Sequence, residues 1–78
     1  MAAWIKITRP NVEVGGNFVF YQSAVIDLEQ ATGFGLQNAG SIAIFVSGKT
    51  FVVQQQFDAA AFQNVMRYVQ QRTGQALA

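Results

Sequence analysis

The chain contains no cysteine and no histidine. Without cysteine there is no disulfide to staple the fold, and without either residue there is no thiolate or imidazole to hold a structural zinc. The same absences remove the commonest nucleophile and base pairs. What is left is Ser, Thr or Tyr beside a lysine or a carboxylate, and no such pair stands at a useful spacing. Charge is scarce as well, at 12% of residues against about 25% in an ordinary soluble domain. Five Lys and Arg against four Asp and Glu give a net charge of +1, too little to draw in DNA, RNA or anionic lipid at range. No catalytic residue, metal ligand or cofactor is therefore assigned, and nucleic acid is not an expected partner.

What the chain has in quantity is apolar surface: 51% of its 78 residues are hydrophobic and 13% aromatic. This length supports a single domain, residues 1–78, with one core. Folding should hide roughly 7,700 Å². That burial is worth ~115 kcal/mol against ~117 kcal/mol of ordering entropy, so the two terms cancel. Better packing or association with further copies must supply the margin. The uncharged run from Gln30 to Gly48 is broken by Gly33, Gly35, Gln37, Asn38, Gly40 and Ser41, so no membrane span is expected there. The opening Met1-Ala2-Ala3-Trp4-Ile5-Lys6 has neither the basic stretch nor the apolar core of a signal peptide, which makes a cytoplasmic address the default. Size and lack of cysteine suit a bacterial or phage source.

Ile5 and Ile7 alternate with Lys6 and Thr8 in the pattern of a half-buried strand, which Pro10-Asn11 is expected to end. After the turn signal Gly15-Gly16-Asn17, Phe18 to Tyr21 forms a second strand. The alternating stretch Ser23 to Glu29 continues that strand through a bend. Ala31 to Gly40 has three glycines and reads as a mobile loop, yet it carries Phe34 and Leu36. Ile42–Val46 and Thr50–Gln54 flank Ser47-Gly48-Lys49 as a hairpin that is apolar on both faces. A helix is expected over Ala59 to Thr73, with Asp58 as N-cap, Phe57 and Phe62 spaced as a hydrophobic staple, and Gly74 as its stop. Phe62, Val65, Met66 and Val69 form its apolar face and should pack on Ile42, Ile44, Val46, Phe51 and Val53. The fold class is α+β: a small antiparallel sheet of four to five strands, a barrel-like closure being one form of it, followed by one C-terminal helix.

Several motifs fail on inspection. Gly48-Lys49-Thr50 resembles the end of a phosphate-binding loop, but Ala43 stands where its first glycine belongs and a strand follows instead of a helix. Gly33-Phe34-Gly35 lacks the third glycine of a dinucleotide fingerprint, since Asn38 occupies that place. Asp27 and Glu29 would share a strand face, which is thin support for a cation needing six or more oxygen ligands. Trp4, Lys6, Phe18, Phe20 and Tyr21 could stack on single-stranded bases if they shared a face, although a core or subunit interface explains them better.

Ile7-Thr8-Arg9 with Asn11, the stretch Phe18 to Glu29, and Ile44 to Val53 with Ser47-Gly48-Lys49 together resemble the small flagellar accessory family called FlbD or SwrD. Pro10, Val12 and Gln54-Gln55 depart from its pattern, and Ala31 to Gly40 stands as an insertion. The resemblance implies a non-enzymatic motility accessory. The residues themselves point to a homo-oligomeric binding or assembly module acting through protein contacts, with Trp4, Phe18, Phe20 and Tyr21 as interface residues. Free sheet edges such as Ile5 to Thr8 offer a second way for copies to pair. The rival is a small-molecule or nucleotide site at the Gly33–Gly40 loop, or at a subunit seam, using Phe34, Leu36, Gln37 and Asn38.

Overall fold

The computed structural model describes residues 2–77. Its first third is one long hairpin, bent in the middle. β1 (Trp4–Thr8) leads through Arg9 and Pro10 into β2 (Asn11–Val14), and β3 (Asn17–Phe20) returns through Tyr21 and Gln22 into β4 (Ser23–Asp27). β2 pairs with β3 and β1 with β4, from Val14↔Asn17 at the tip to Trp4↔Asp27 at the open end. At the bend Arg9 adopts a left-handed φ of 52°, its N–H donates to Gln22 O at 2.8 Å, and the Tyr21 N–H donates to Pro10 O at 3.3 Å. Pro10 has a fixed φ and no N–H, so the ladder turns there. The expected bent continuation into Ser23 is present. β1 ends at Thr8, before Pro10, as expected; the unexpected feature is that Asn11 opens a further strand, β2, on the far side of the corner.

A 3₁₀ turn over Leu28–Gln30 follows, then β5 (Gly33–Asn38), β6 (Ser41–Val46), β7 (Lys49–Gln54) and the helix α1 (Ala59–Thr73). The seven strands form two antiparallel sheets: β1 with β4, and a five-stranded sheet in the order β3-β2-β7-β6-β5. The α+β class with one C-terminal helix is as the sequence indicates. There are seven strands instead of four to five, and the sheet is open, with β3 and β5 as its edges and no barrel closure. The stretch expected to be a mobile loop is largely β5, paired with β6 from Gly33↔Phe45 to Asn38↔Ser41 with a shift between Leu36 and Asn38. Of the three tight hairpins, two close on residues at positive φ, Gly15-Gly16 (58° and 84°) and Ser47-Gly48 (50° and 77°). That geometry matches strand twist and favours residues tolerating the left-handed region.

The helix occupies the expected residues. The Asp58 side chain accepts from the Ala61 N–H at 2.9 Å, and the Gly74 N–H closes the other end on Gln70 O at 2.9 Å. Its buried face, Ala61, Phe62, Val65 and Val69, packs into one cluster with Ile42, Ile44 and Val53 of the large sheet, Ile7 and Ile26 of the hairpin stem, and Leu28 of the 3₁₀ turn. Met66, Val46 and Phe51 lie at the margin of that cluster. The core is thus enclosed on three sides, by the five-stranded sheet, the β1–β4 ribbon and α1, while among the described residues no further strand or helix lies over the opposite face of the large sheet, where Ala43 and Val52 are nonetheless buried.

Candidate functional site

Strand pairing decides which side chains share the uncovered face. In β3 the side chains alternate, so Phe18 and Phe20 project with their cross-strand partners Glu13 and Asn11, while Val19 projects to the helix side with Val12. Thr50 and Val52 of β7 and Ala43 and Phe45 of β6 continue the same face towards β5. There the residues are Gly33 and Gly35, and the Phe45 ring occupies the space they leave: a Cβ on Gly33 would stand 3.3 Å from Phe45 Cδ2. Phe18 is 58% exposed, Phe20 75% and Phe45 42%. Asn11 Oδ1, opposite Phe20, is buried with no hydrogen-bond partner among the described residues. Glu13 is the charged residue of this face; Lys6 lies on β1, Arg9 stands at the bend with its guanidinium 5.5 Å from the centre of the Phe57 ring, Lys49 faces the other way, and Arg67 and Arg72 are on the helix. An aromatic platform without a cation lacks the term that supplies most polyanion affinity.

Trp4 and Tyr21 lie elsewhere. Trp4, 67% exposed, shares the outer face of the β1–β4 ribbon with Lys6 and Val25, so the five residues considered as one stacking platform do not share a face. Tyr21, 49% exposed, lines a cleft of about 230 Å³ with Val12, Val14 and Val25, and a neighbouring cleft of about 290 Å³ runs on between Trp4 and Val46. Phe51, Val25 and Lys49 line both, so the two adjoin as a mixed polar and apolar trough between β4 and the large sheet. Ile5 to Thr8 pairs with β4 on one side only, so in this two-stranded ribbon β1 is an edge as expected, with the Thr8 N–H on its other side taken by Asp58 Oδ2 at 2.9 Å.

The four residues singled out as ligand contacts are divided by β5. Phe34 and Leu36 point inward to the margin of the core, whereas Gln37 and Asn38 are exposed and Asn38 Oδ1 accepts the Gly40 N–H at 2.8 Å within the turn. Phe34 reaches a cleft of about 510 Å³ bordered by Leu28, Thr32, Tyr68, Val69, Arg72 and Leu77. Its ring lies 6.1 Å from that of Tyr68, tilted by 52°. The Tyr68 hydroxyl donates to Glu29 Oε2, and Arg72 Nε stands 3.2 Å from the same oxygen. Burial, then the hydrogen bond and charge of Glu29, push the Tyr68 hydroxyl above its ordinary pKa of 10.0, with Arg72 opposing. Sequence reasoning missed this trio, since Glu29 meets Tyr68 only across 39 positions of chain.

Three of the four carboxylates are committed to local structure. Asp27 Oδ1 accepts the N–H groups of Ala3 (2.8 Å) and Glu29 (3.0 Å), Glu29 binds Tyr68 and Arg72, and Asp58 holds Ala61 and Thr8. Asp27 and Glu29 do not share a strand face as expected, because the chain leaves β4 at Asp27 and turns into the 3₁₀ segment. Comparison with protein-family models, with curated proteins and with solved structures finds no match to this chain.

Proposed function

We propose that this chain is a non-enzymatic assembly module that associates with copies of itself through protein contacts. The observation that carries the reading is the exposure of Trp4, Phe18, Phe20 and Tyr21, all between 49% and 75%, in a chain with few charges to solubilise them. Phe18, Phe20 and Phe45 alone leave about 350 Å² of ring surface on one face, taking aromatic side chains at ~200 Å² each. That is the scale of the largest apolar patch on a soluble monomer, a patch that is often functional. The Trp4 and Val25 surface adds a second patch on the other sheet. A cytoplasmic, bacterial or phage setting belongs to the same proposal, and the non-enzymatic motility accessory implied by the FlbD or SwrD resemblance is an alternative to it. Sedimentation velocity at micromolar concentration tests it: a species at a multiple of 8.5 kDa is expected, and a folded, soluble monomer overturns it.

A second reading rests on the cleft beside Phe34, whose volume suits a small molecule or nucleotide. A saturable thermal shift with such a compound, lost on Phe34→Ala, supports it. A flat screen removes it.

A further inference from the structure

We infer that two copies pair edge to edge through β3, antiparallel about a two-fold axis at Val19, to make one continuous ten-stranded sheet. This rests on the assembly reading above and specifies its partner and register.

β3 is an edge strand whose four residues, Asn17 to Phe20, are all exposed. Its shortness, four residues, is one device that keeps edges apart, but it contains no charge, no proline and no bulge. The other edge of the sheet, β5, does carry such a device, the irregularity between Leu36 and Asn38. The Tyr21 N–H points inward to Pro10 O. Backbone groups alternate along a strand, so those of Phe18 and Phe20 point outward, a free N–H and C=O on each.

A self-pairing must keep the aromatic faces on the same side, so even-numbered residues oppose even-numbered ones. Centring on Val19 sets Phe18 against Phe20 of the second copy and Phe20 against its Phe18. All four free groups of each copy are then used, in four new hydrogen bonds across the pair. Centring on Phe18 or on Phe20 instead leaves part of each edge unpaired. The Val19 register also stacks phenylalanine on phenylalanine across the strands, a favoured cross-strand pair. Pairing β3 with β5 of another copy would have to be parallel to keep the same face, because β3 and β5 run in the same direction in this sheet. Parallel ladders are the weaker arrangement.

The exposed parts of Phe18, Phe20 and Tyr21 amount to about 360 Å² per copy at ~200 Å² per aromatic side chain. With Val19 and the backbone edges, the pair approaches the ~1,000 Å² at which specific interfaces begin.

Disulfide trapping tests the register, and the absence of native cysteine keeps it clean. In this arrangement the two Val19 positions form a non-hydrogen-bonded pair with Cα atoms about 4.5 Å apart, within reach of a disulfide. Val19→Cys should therefore convert to a covalent dimer under mild oxidation. Asn17→Cys, offset by four residues from its own copy, should not. As a second arm, Phe18→Cys mixed with Phe20→Cys should cross-link while neither variant does so alone, since like thiols would sit about 9 Å apart. If wild type sediments as an oligomer but neither arm cross-links, the β3 register is wrong and the assembly reading survives. If wild type is a monomer and nothing cross-links, both are overturned.

Discussion

Replacing Asp58 by Ala should cost more than loss of an ordinary helix cap, because this carboxylate fastens two elements. Its Oδ1 accepts the Ala61 N–H at the start of α1, and its Oδ2 accepts the Thr8 N–H at the end of β1, fifty positions away. The cap alone is worth about 1 kcal/mol. A hydrogen bond to a charged acceptor adds about 1.5–3 kcal/mol when sheltered, and less here, since Thr8 is exposed and water replaces the lost partner. The sum is about 2–3 kcal/mol, against a total of about 4–12 kcal/mol for a domain of this length. That corresponds to a fall in Tm of about 10–20 °C. The loss should also depend on pH. Partial burial pushes the carboxyl of Asp58 upward, but the N–H groups of Ala61 and Thr8 and the Thr8 hydroxyl outweigh it, leaving it below its usual 3.8. A depressed folded pKa means the stabilisation is fully present above 3.8 and disappears as pH falls through the folded value. Urea titrations of wild type and Asp58→Ala at pH 7 and near pH 2 should show a wide gap that narrows on acidification. A gap under about 0.5 kcal/mol at pH 7, or one that stays constant, refutes the reasoning.

Two other perturbations probe the packing. Phe62, 3% exposed at the centre of the cluster, should cost about 3–5 kcal/mol when truncated to Ala, and a near-wild-type cooperative melt would take the helix out of the core. Tyr68 has a raised hydroxyl pKa from burial first and Glu29 second, so its contribution is intact below pH 10 and is lost as pH rises through the folded value. Tyr68→Phe should remove that alkaline loss of stability in thermal melts, and an unchanged alkaline slope would contradict the assignment.

The parts of the fold that sequence reveals are those whose signals are local. Asp58 and Gly74 bracket the helix because capping needs specific residues at fixed offsets, and both perform the expected role. The hairpin at Ser47-Gly48 is likewise visible from its turn and two apolar runs. β5 was hidden by its own composition. Gly33 and Gly35 empty one face of the strand, so its period-two pattern shows only as Phe34 and Leu36, while the missing side chains are supplied from the neighbouring strand by Phe45. β2 was hidden by Pro10, which punctuates a strand in sequence but here turns its arm from one sheet into the other. Of the candidate interface, the exposure of Trp4, Phe18, Phe20 and Tyr21 is what their surplus over the available core suggested. Their separation onto two surfaces depends on the bend at Arg9 and on pairing across the whole chain, which no local pattern encodes.

The central claim, that the exposed phenylalanines of β3 exist to be covered by another copy, is tested most directly by removing them. Phe18→Ser/Phe20→Ser changes side chains that are 58% and 75% exposed, so the double variant should keep the helical circular dichroism and a cooperative melt of the wild type. In sedimentation equilibrium across a micromolar dilution series, wild type should report mass above 8.5 kDa and the variant should stay at that monomer mass throughout. Equal masses for the two at every concentration, with both folded, would contradict the account.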